Sequence, residues 1–148
     1  MSRVDIRIQE IEPIQIYGLQ RTVTSRGFDS VYADLHQTLK EKKIIPVGPP
    51  LAIFLDEEYH PEALRVNLAL PVAGTPAGSQ LLPGGQAAVA IHVGPYNALP
   101  EVYQQMSAYL RQHQLQQRGH HYNIYLNGRA KSPDGSEWLT KVVFPLET

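Results

Sequence analysis

Aromatic and polar side chains stand at matched positions in the two halves of this sequence. Phe54 and Tyr125 lie 71 residues apart, Ala52 and Asn123 also lie 71 apart, and Asn67 and Lys141 lie 74 apart. The first two pairs fall in short alternating strand patterns, residues 51–55 and 122–126. Side chains two apart on a strand share a face. Leu51, Ile53 and Leu55 are the more apolar set of their strand and are expected against a helix. That turns Ala52, Phe54, Asn123 and Tyr125 toward an open face, and the same alternation puts Asn67 and Lys141 there. Two aromatic rings facing each other suit a flat ligand. Two amides and one ammonium suit a polar ligand that is neutral or anionic. Tyr96 follows Gly94-Pro95. It either closes one end of the resulting groove or is a core tyrosine with a satisfied hydroxyl. The expected ligand-binding residues are therefore Phe54, Asn67, Tyr96, Asn123, Tyr125 and Lys141. The alternative is a solvated sheet face with nothing bound.

Other chemistries are poorly served. The chain has no cysteine, which excludes disulfides, thiolate zinc sites, iron–sulfur clusters and thiol nucleophiles. His120 and His121 are neighbours, and neighbours on a strand point to opposite faces, so they cannot chelate one ion together. His36, His60 and His113 stand at no ligand spacing, and no metal is expected. His92 would need a carboxylate partner or a substrate proton within reach to act as a general base. Neither is identifiable, and a histidine bonded to backbone is expected instead. No Gly-x-Ser-x-Gly elbow, phosphate loop or dinucleotide fingerprint occurs, so neither a cofactor nor a catalytic residue is expected. Asp56-Glu57-Glu58 reads as the solvated tip of a hairpin.

The elements that must position these residues follow from periodicity. Val4, Ile6 and Ile8 alternate with polar residues, and Ile14 and Ile16 resume the alternation after Glu12-Pro13. This predicts one bent or interrupted first strand. Phe28, Val31, Tyr32, Leu35 and Leu39 form a helix face, as do Leu99, Val102, Tyr103, Met106 and Leu110. Asn97 is the expected N-cap of the second helix, with Pro100 in its first turn and Gly119 at its end. Strands are predicted over 51–55, 66–70, 86–93, 122–126 and 138–144. Residues 73–85, rich in Gly and Pro, have no apolar period and predict an exposed connector. Ser132-Pro133-Asp134-Gly135 is a turn signal.

Laid over each other at a shift of 71, the halves match: Val31 on Val102, Tyr32 on Tyr103, Leu35 on Met106, Leu39 on Leu110, Gly48 on Gly119, Ile53 on Ile124. Past a hairpin loop three residues longer, Leu70-Pro71-Val72 falls on Phe144-Pro145-Leu146. Chance agreement of two amphipathic helices would not also align the glycines and the terminal prolines. The pattern predicts an α+β fold of one domain, 1–148, built from a β-α-β-β unit used twice. Repeat one covers about 3–72, a connector about 73–85, and repeat two about 86–147. The two units are expected about a pseudo-twofold axis, with an antiparallel curved sheet, both helices on one side and a ligand groove on the axis.

The run His92-Val93-Gly94-Pro95-Tyr96, followed by Leu99 and Tyr103, resembles the signature of the GyrI-like small-molecule-binding domain. That domain is also the effector-binding module of some AraC- and MerR-type regulators. Pro83-Gly84-Gly85, the strand Asn123-Ile124-Tyr125-Leu126 and the ending Phe144-Pro145-Leu146 match it too. The resemblance implies a pocket for bulky, often cationic, aromatic compounds. It places a glutamate where this chain has Asn123, and further acids where it has Asn67 and Lys141. The departures imply a preference for neutral or anionic planar ligands. They also remove the group on which hydrolysis of cyclopropane rings or epoxides in some relatives depends. Regulator relatives carry a helix-turn-helix in front of the domain. Here the strand pattern begins at Val4, so the chain resembles the stand-alone form.

Composition bounds the rest. Hydrophobic residues make up 43% and charged residues 18%, enough for a core and too few charges for wholesale disorder. Lys+Arg is 13 against Asp+Glu 14, without the basic surplus of a nucleic-acid binder. No apolar stretch is long enough to span a bilayer, and no signal peptide is visible. The expected chain is cytoplasmic, touches neither membrane nor nucleic acid directly, and senses or sequesters a small organic ligand. The alternatives are a hydrolase of strained electrophiles acting on the same groove, or a role with a protein partner such as gyrase inhibition.

Overall fold

The computed structural model describes residues 4–127 and 133–147. In chain order it contains β1 (Ile6–Ile11), β2 (Ile14–Val23), α1 (Phe28–Lys42), β3 (Leu51–Phe54), β4 (Leu64–Pro71), β5 (Gln80–Leu82) and β6 (Gly85–Val93). A 3₁₀ turn (Tyr96–Ala98), α2 (Leu99–Gln112), β7 (Tyr122–Tyr125) and β8 (Leu139–Pro145) follow. The fold is α+β. None of the described helices is long and apolar enough to cross a membrane.

Two compact units form: the first from Glu12–Gly84, the second from the described residues on either side of it. The first has strand order β3-β4-β2-β5 and the second β7-β8-β6-β1, antiparallel throughout. Their registers coincide at the sequence shift. Ile14 opposite Leu82 corresponds to Gly85 opposite Ile11. Ile16 opposite Pro71 corresponds to Ala87 opposite Pro145, and Leu51 opposite Ala69 to Tyr122 opposite Val143. The isolated bridges repeat as well, Pro46 with Val72 and Gln117 with Leu146. The duplication read from spacing is present strand by strand.

Two expectations change here. The bent or interrupted first strand is interrupted into two separate strands, because Pro13 has no N–H to continue a ladder. β1 pairs with β6 in the second unit, while β2 joins the first. The connector is not all loop, because β5 is the counterpart of β1 and pairs with β2. Three residues are too few to show an alternation. Each repeat therefore opens with a strand that pairs in the other unit, the second repeat with β5, which lies inside the expected connector 73–85.

α1 packs Leu35 and Leu39 against Leu70 and Val72, with Tyr17, Leu19, Tyr32 and Ile44 around them. α2 buries Leu99, Val102, Tyr103, Met106 and Leu110. Pro100 sits in its first turn as expected, but Asn97 does not cap it. The 3₁₀ turn leads straight in and Ala98 holds the N-cap position without a side-chain hydrogen bond. Nor does Gly119 end this helix. α2 stops at Gln112, and the reversal is made by Gln114 at φ 56°, as Lys43 at φ 58° makes it after α1.

Candidate functional site

Register decides which side chains share a face, since residues directly opposite on antiparallel strands point the same way. In the first unit Tyr17 lies opposite Leu70, Leu19 opposite Leu68, Leu68 opposite Ala52 and Val66 opposite Phe54. Tyr17, Leu19 and Leu70 pack on α1, so Ala52 and Phe54 face α1 too. The Phe54 ring lies 6.5 Å from Phe28 at the start of α1 and 6.3 Å from Tyr59. Leu51 and Ile53 take the other face, with Ala69 and Asn67. The expected parity is thus inverted. The cause is burial on both sides: Leu51, Ala52, Ile53 and Phe54 are all buried, so polarity along β3 does not distinguish its faces.

The second unit follows the same rule. Asn123 lies opposite Val142 and Tyr125 opposite Thr140, whereas Lys141 lies opposite Ile124 and Ile91. Asn123 reaches Tyr103 of α2, so Asn123, Tyr125, Thr140 and Val142 form the face toward the helix. Lys141 points the other way, and so does Asn67 in the first unit. The expected set therefore splits within each unit, and Lys141 is not on the face of Asn123 and Tyr125. Asn67 is buried against Gly18, where an added Cβ would stand 2.1 Å from the Asn67 Oδ1.

On the α2 face of the second unit the polar and aromatic groups converge. Asn123 Nδ2 donates to Tyr103 Oη at 2.6 Å and to Tyr125 Oη at 3.4 Å. The Tyr96 ring stands 5.0 Å from Tyr125 and 4.6 Å from Trp138. Asn123 and Thr140 are both 0% exposed. Yet Asn123 Oδ1, Thr140 Oγ1 and Trp138 Nε1 are buried with no hydrogen-bond partner among the described residues. Buried polar groups nearly always find partners, so two oxygens left over on one face are a local anomaly. Tyr96, Tyr125 and Trp138 are only partly buried and form its solvent side.

The loops that carry these rings are tightly determined. Gly94, at φ 131°, donates its N–H to Trp138 O at 2.9 Å, and Trp138 donates to Gly135 O at 3.2 Å. Gly135 is at φ 84°, and a Cβ there would meet the Trp138 ring at 3.1 Å and Pro95 Cα at 3.2 Å. Asp134 Oδ1 accepts from Ser136 N at 3.0 Å, closing the turn expected near Pro133-Asp134-Gly135; Ser132 lies outside the described residues. His92 donates from Nε2 to Pro95 O at 3.0 Å, the backbone-bonded role expected of it. His121 stacks on Phe144 at 4.6 Å and lies 4.7 Å from Tyr103. Burial, and to a lesser degree His120, lowers its pKa to about 4, so the ring is neutral at pH 7. Tyr122, on the opposite face, is pushed up to about 12 by burial, with Arg118 pulling the other way. The acidic hairpin makes surface contacts, an ion pair of Asp56 with Arg65 at 2.7 Å and a hydrogen bond from His60 Nε2 to Glu58 at 3.0 Å.

A model of the family described as GyrI-like small molecule binding domain matches residues 4–147. The chain belongs to the GyrI-like family. It is a small-molecule-binding domain of that family. The EcmrR–DNA complex contains a similar fold, at 19% identity and TM-score 0.86, over 98% of this chain and 58% of that one. The chain thus spans little more than half of that protein. The EcmrR C-terminal domain matches at 20% identity and TM-score 0.80, over 98% of both chains. SAV2435 bound to tetraphenylphosphonium matches at 12% identity and TM-score 0.61, over 97% of this chain and 94% of that one. At such identities the likeness is one of fold. No curated protein matches the sequence.

Of the residues expected from the sequence, Tyr96, Asn123 and Tyr125 stand in this cluster, and Tyr103, Trp138 and Thr140, which were not among them, stand with them. A usable signal was present. Thr140 and Trp138 align at the shift of 74 with Val66 and Leu64, and a polar group where its duplicate is apolar marks a place released from core duty.

Proposed function

We propose that the α2 face of the second unit seats a planar organic molecule, and that the whole chain, 1–148, acts as one domain that senses or sequesters that molecule. The observation that carries this reading is the pair of unpartnered buried oxygens, Asn123 Oδ1 and Thr140 Oγ1, under three aromatic rings. Rings supply affinity for a flat ligand through stacking and area; the oxygens supply orientation. The net charge of -1 supports a chain that makes no direct nucleic-acid contact, and the lack of cysteine accords with a reducing cytoplasm. Hydrolysis is the weaker reading. It needs a carboxylate to move a proton, and the Asn123 amide neither gives nor takes one near neutral pH.

Trp138 is the only tryptophan, so its emission reports directly on this cluster. Titration with planar aromatic compounds should quench that emission and raise the melting temperature, by about 2.7 kcal/mol of stabilisation at a hundredfold excess over Kd. Tyr96→Ala should abolish both effects. Ligand-induced stabilisation that leaves Trp138 emission unchanged and survives Tyr96→Ala would place the ligand elsewhere.

A further inference from the structure

We infer that the ligand is a neutral molecule that presents hydrogen-bond donors, not a charge, to the floor of the ring cluster; the inference rests on the reading of that cluster as the ligand site. The donor end of the Asn123 amide is already engaged with Tyr103 Oη at 2.6 Å, which leaves the carbonyl oxygen as the group with no partner among the described residues. Thr140 adds a second unpartnered oxygen on the same face. Tyr125 is directly opposite Thr140, so Asn123 sits diagonally across the ladder from it, roughly 7–8 Å away. Both groups accept hydrogen bonds, the Thr140 hydroxyl can also donate one, and neither carries charge.

This chemistry separates three ligand classes. A lipophilic cation buried here would face dipoles only, because position 123 holds an amide, and an uncompensated buried charge is strongly disfavoured. An anion would meet a carbonyl oxygen with no cation to balance it, since Lys141 belongs to the other face of β8. A neutral aromatic N–H or O–H compound satisfies the floor and leaves the rings to stack. The duplicated unit shows that the scaffold itself does not need these oxygens. There the matching positions are Ala52 and Val66, and the Tyr32 hydroxyl donates to the backbone carbonyl of Leu51 at 2.5 Å instead. Both oxygens are sealed from solvent, so the ligand reaches them by displacing one of the partly buried rings Tyr96, Tyr125 or Trp138.

The test uses four probes of one size on the full chain, followed by Trp138 emission and by calorimetry. They are acridone (neutral, N–H donor), N-methylacridone (neutral, donor removed), N-methylacridinium (cation) and acridine-9-carboxylate (anion). Acridone should bind at least about tenfold more tightly than each of the others. Thr140→Val and Asn123→Leu should each erase most of the gap between acridone and its N-methyl form, and Asn123→Asp should turn preference toward the cation. Thr140→Val keeps the experiment decisive should Asn123→Leu unfold, because valine already occupies the matching position in the first unit. Equal binding of acridone and N-methylacridone, both weakened by Tyr96→Ala, would overturn the donor inference and leave the ring cluster as the site. Binding untouched by Tyr96→Ala and Trp138→Ala would overturn both.

Discussion

Where the first unit places Ala52, Val66 and Leu64, the second places Asn123, Thr140 and Trp138. The strands that hold them have the same register, each helix is followed by a left-handed residue at the equivalent position, Lys43 or Gln114, and the same backbone bonds close the loops. Val47 N to Pro71 O at 2.9 Å matches Arg118 N to Pro145 O at 2.8 Å, and Ile44 N to Leu39 O matches Leu115 N to Leu110 O, both 2.9 Å. On the helix side one backbone therefore appears twice, once lined with hydrocarbon and once with polar groups that lack partners among the described residues. The polar version is not a requirement of the fold. In the proposed reading it is the version that a ligand completes, and the hydrocarbon version is its control within the same chain.

Exchanging the residues between the units tests this most severely. Ala52→Asn would bury an amide where Tyr32 is already committed to a backbone carbonyl. The added volume and the unmade hydrogen bonds together should cost about 3–5 kcal/mol, read as a large fall in melting temperature. The reverse change, Asn123→Ala, removes the donor to Tyr103 and leaves a small void, and should cost about 2 kcal/mol. Equal, small effects at both sites would mean that the two faces are not differentiated as described.

Acid should break the symmetry next. His121 aligns with Pro50 at the shift of 71, so this position titrates in the second unit alone. Its folded pKa of about 4 lies below the ordinary 6.5. As pH falls from about 6.5 to about 4, the unfolded chain takes up the proton before the folded one, so stability declines across that window and levels off below it. The full difference corresponds to about 3 kcal/mol. Melting curves between pH 7 and pH 4 should show the decline, and His121→Phe should flatten that part of it. An unchanged profile in the variant would remove His121 as the cause.

The duplication was legible because apolar residues at helix spacing, glycines and terminal prolines all recur at one shift. Facing was not legible. Residues 51–54 are buried on both sides, so the alternation that normally tells a strand's inner from its outer face is missing. β5 was hidden for a related reason, three residues being too short to carry a period. Of the six expected site residues, Tyr96, Asn123 and Tyr125 stand in one cluster. Phe54 packs with Phe28 and Tyr59 in the other unit, and Asn67 and Lys141 lie on the opposite faces. Thr140 drew no notice because threonine is an ordinary strand residue. Only comparison with Val66 shows that its hydroxyl is unusual.

A gentler exchange sharpens the same contrast. Thr140→Val removes a buried hydroxyl without a partner and should raise stability by about 1 kcal/mol, at the expense of ligand discrimination, as substitutions in functional sites commonly do. Val66→Thr introduces such a hydroxyl into the control unit and should lower stability by about 1–2 kcal/mol. Opposite signs are the diagnostic outcome in paired chemical denaturation curves. A loss of stability in both variants would mean that the Thr140 hydroxyl is satisfied in solution.

The smallest expected effect concerns what the units share. Lys43 and Gln114 occupy equivalent positions after α1 and α2 at φ 58° and φ 56°, and both are exposed. A side chain in this conformation costs roughly 1–2 kcal/mol, which glycine avoids. Glycine also loses about 0.5–1 kcal/mol more entropy on folding. The net gain from Lys43→Gly or Gln114→Gly should therefore be about 0.5 kcal/mol each. Because both positions are exposed and neither belongs to the ring cluster, both variants should bind ligand as wild type does. The double variant should gain about 1 kcal/mol, since sites without shared partners add. Unequal gains would show that the two helix ends, alike in backbone, differ in the freedom of the chain beyond them. Equal gains would leave the ring cluster as the place where the duplicated units part ways.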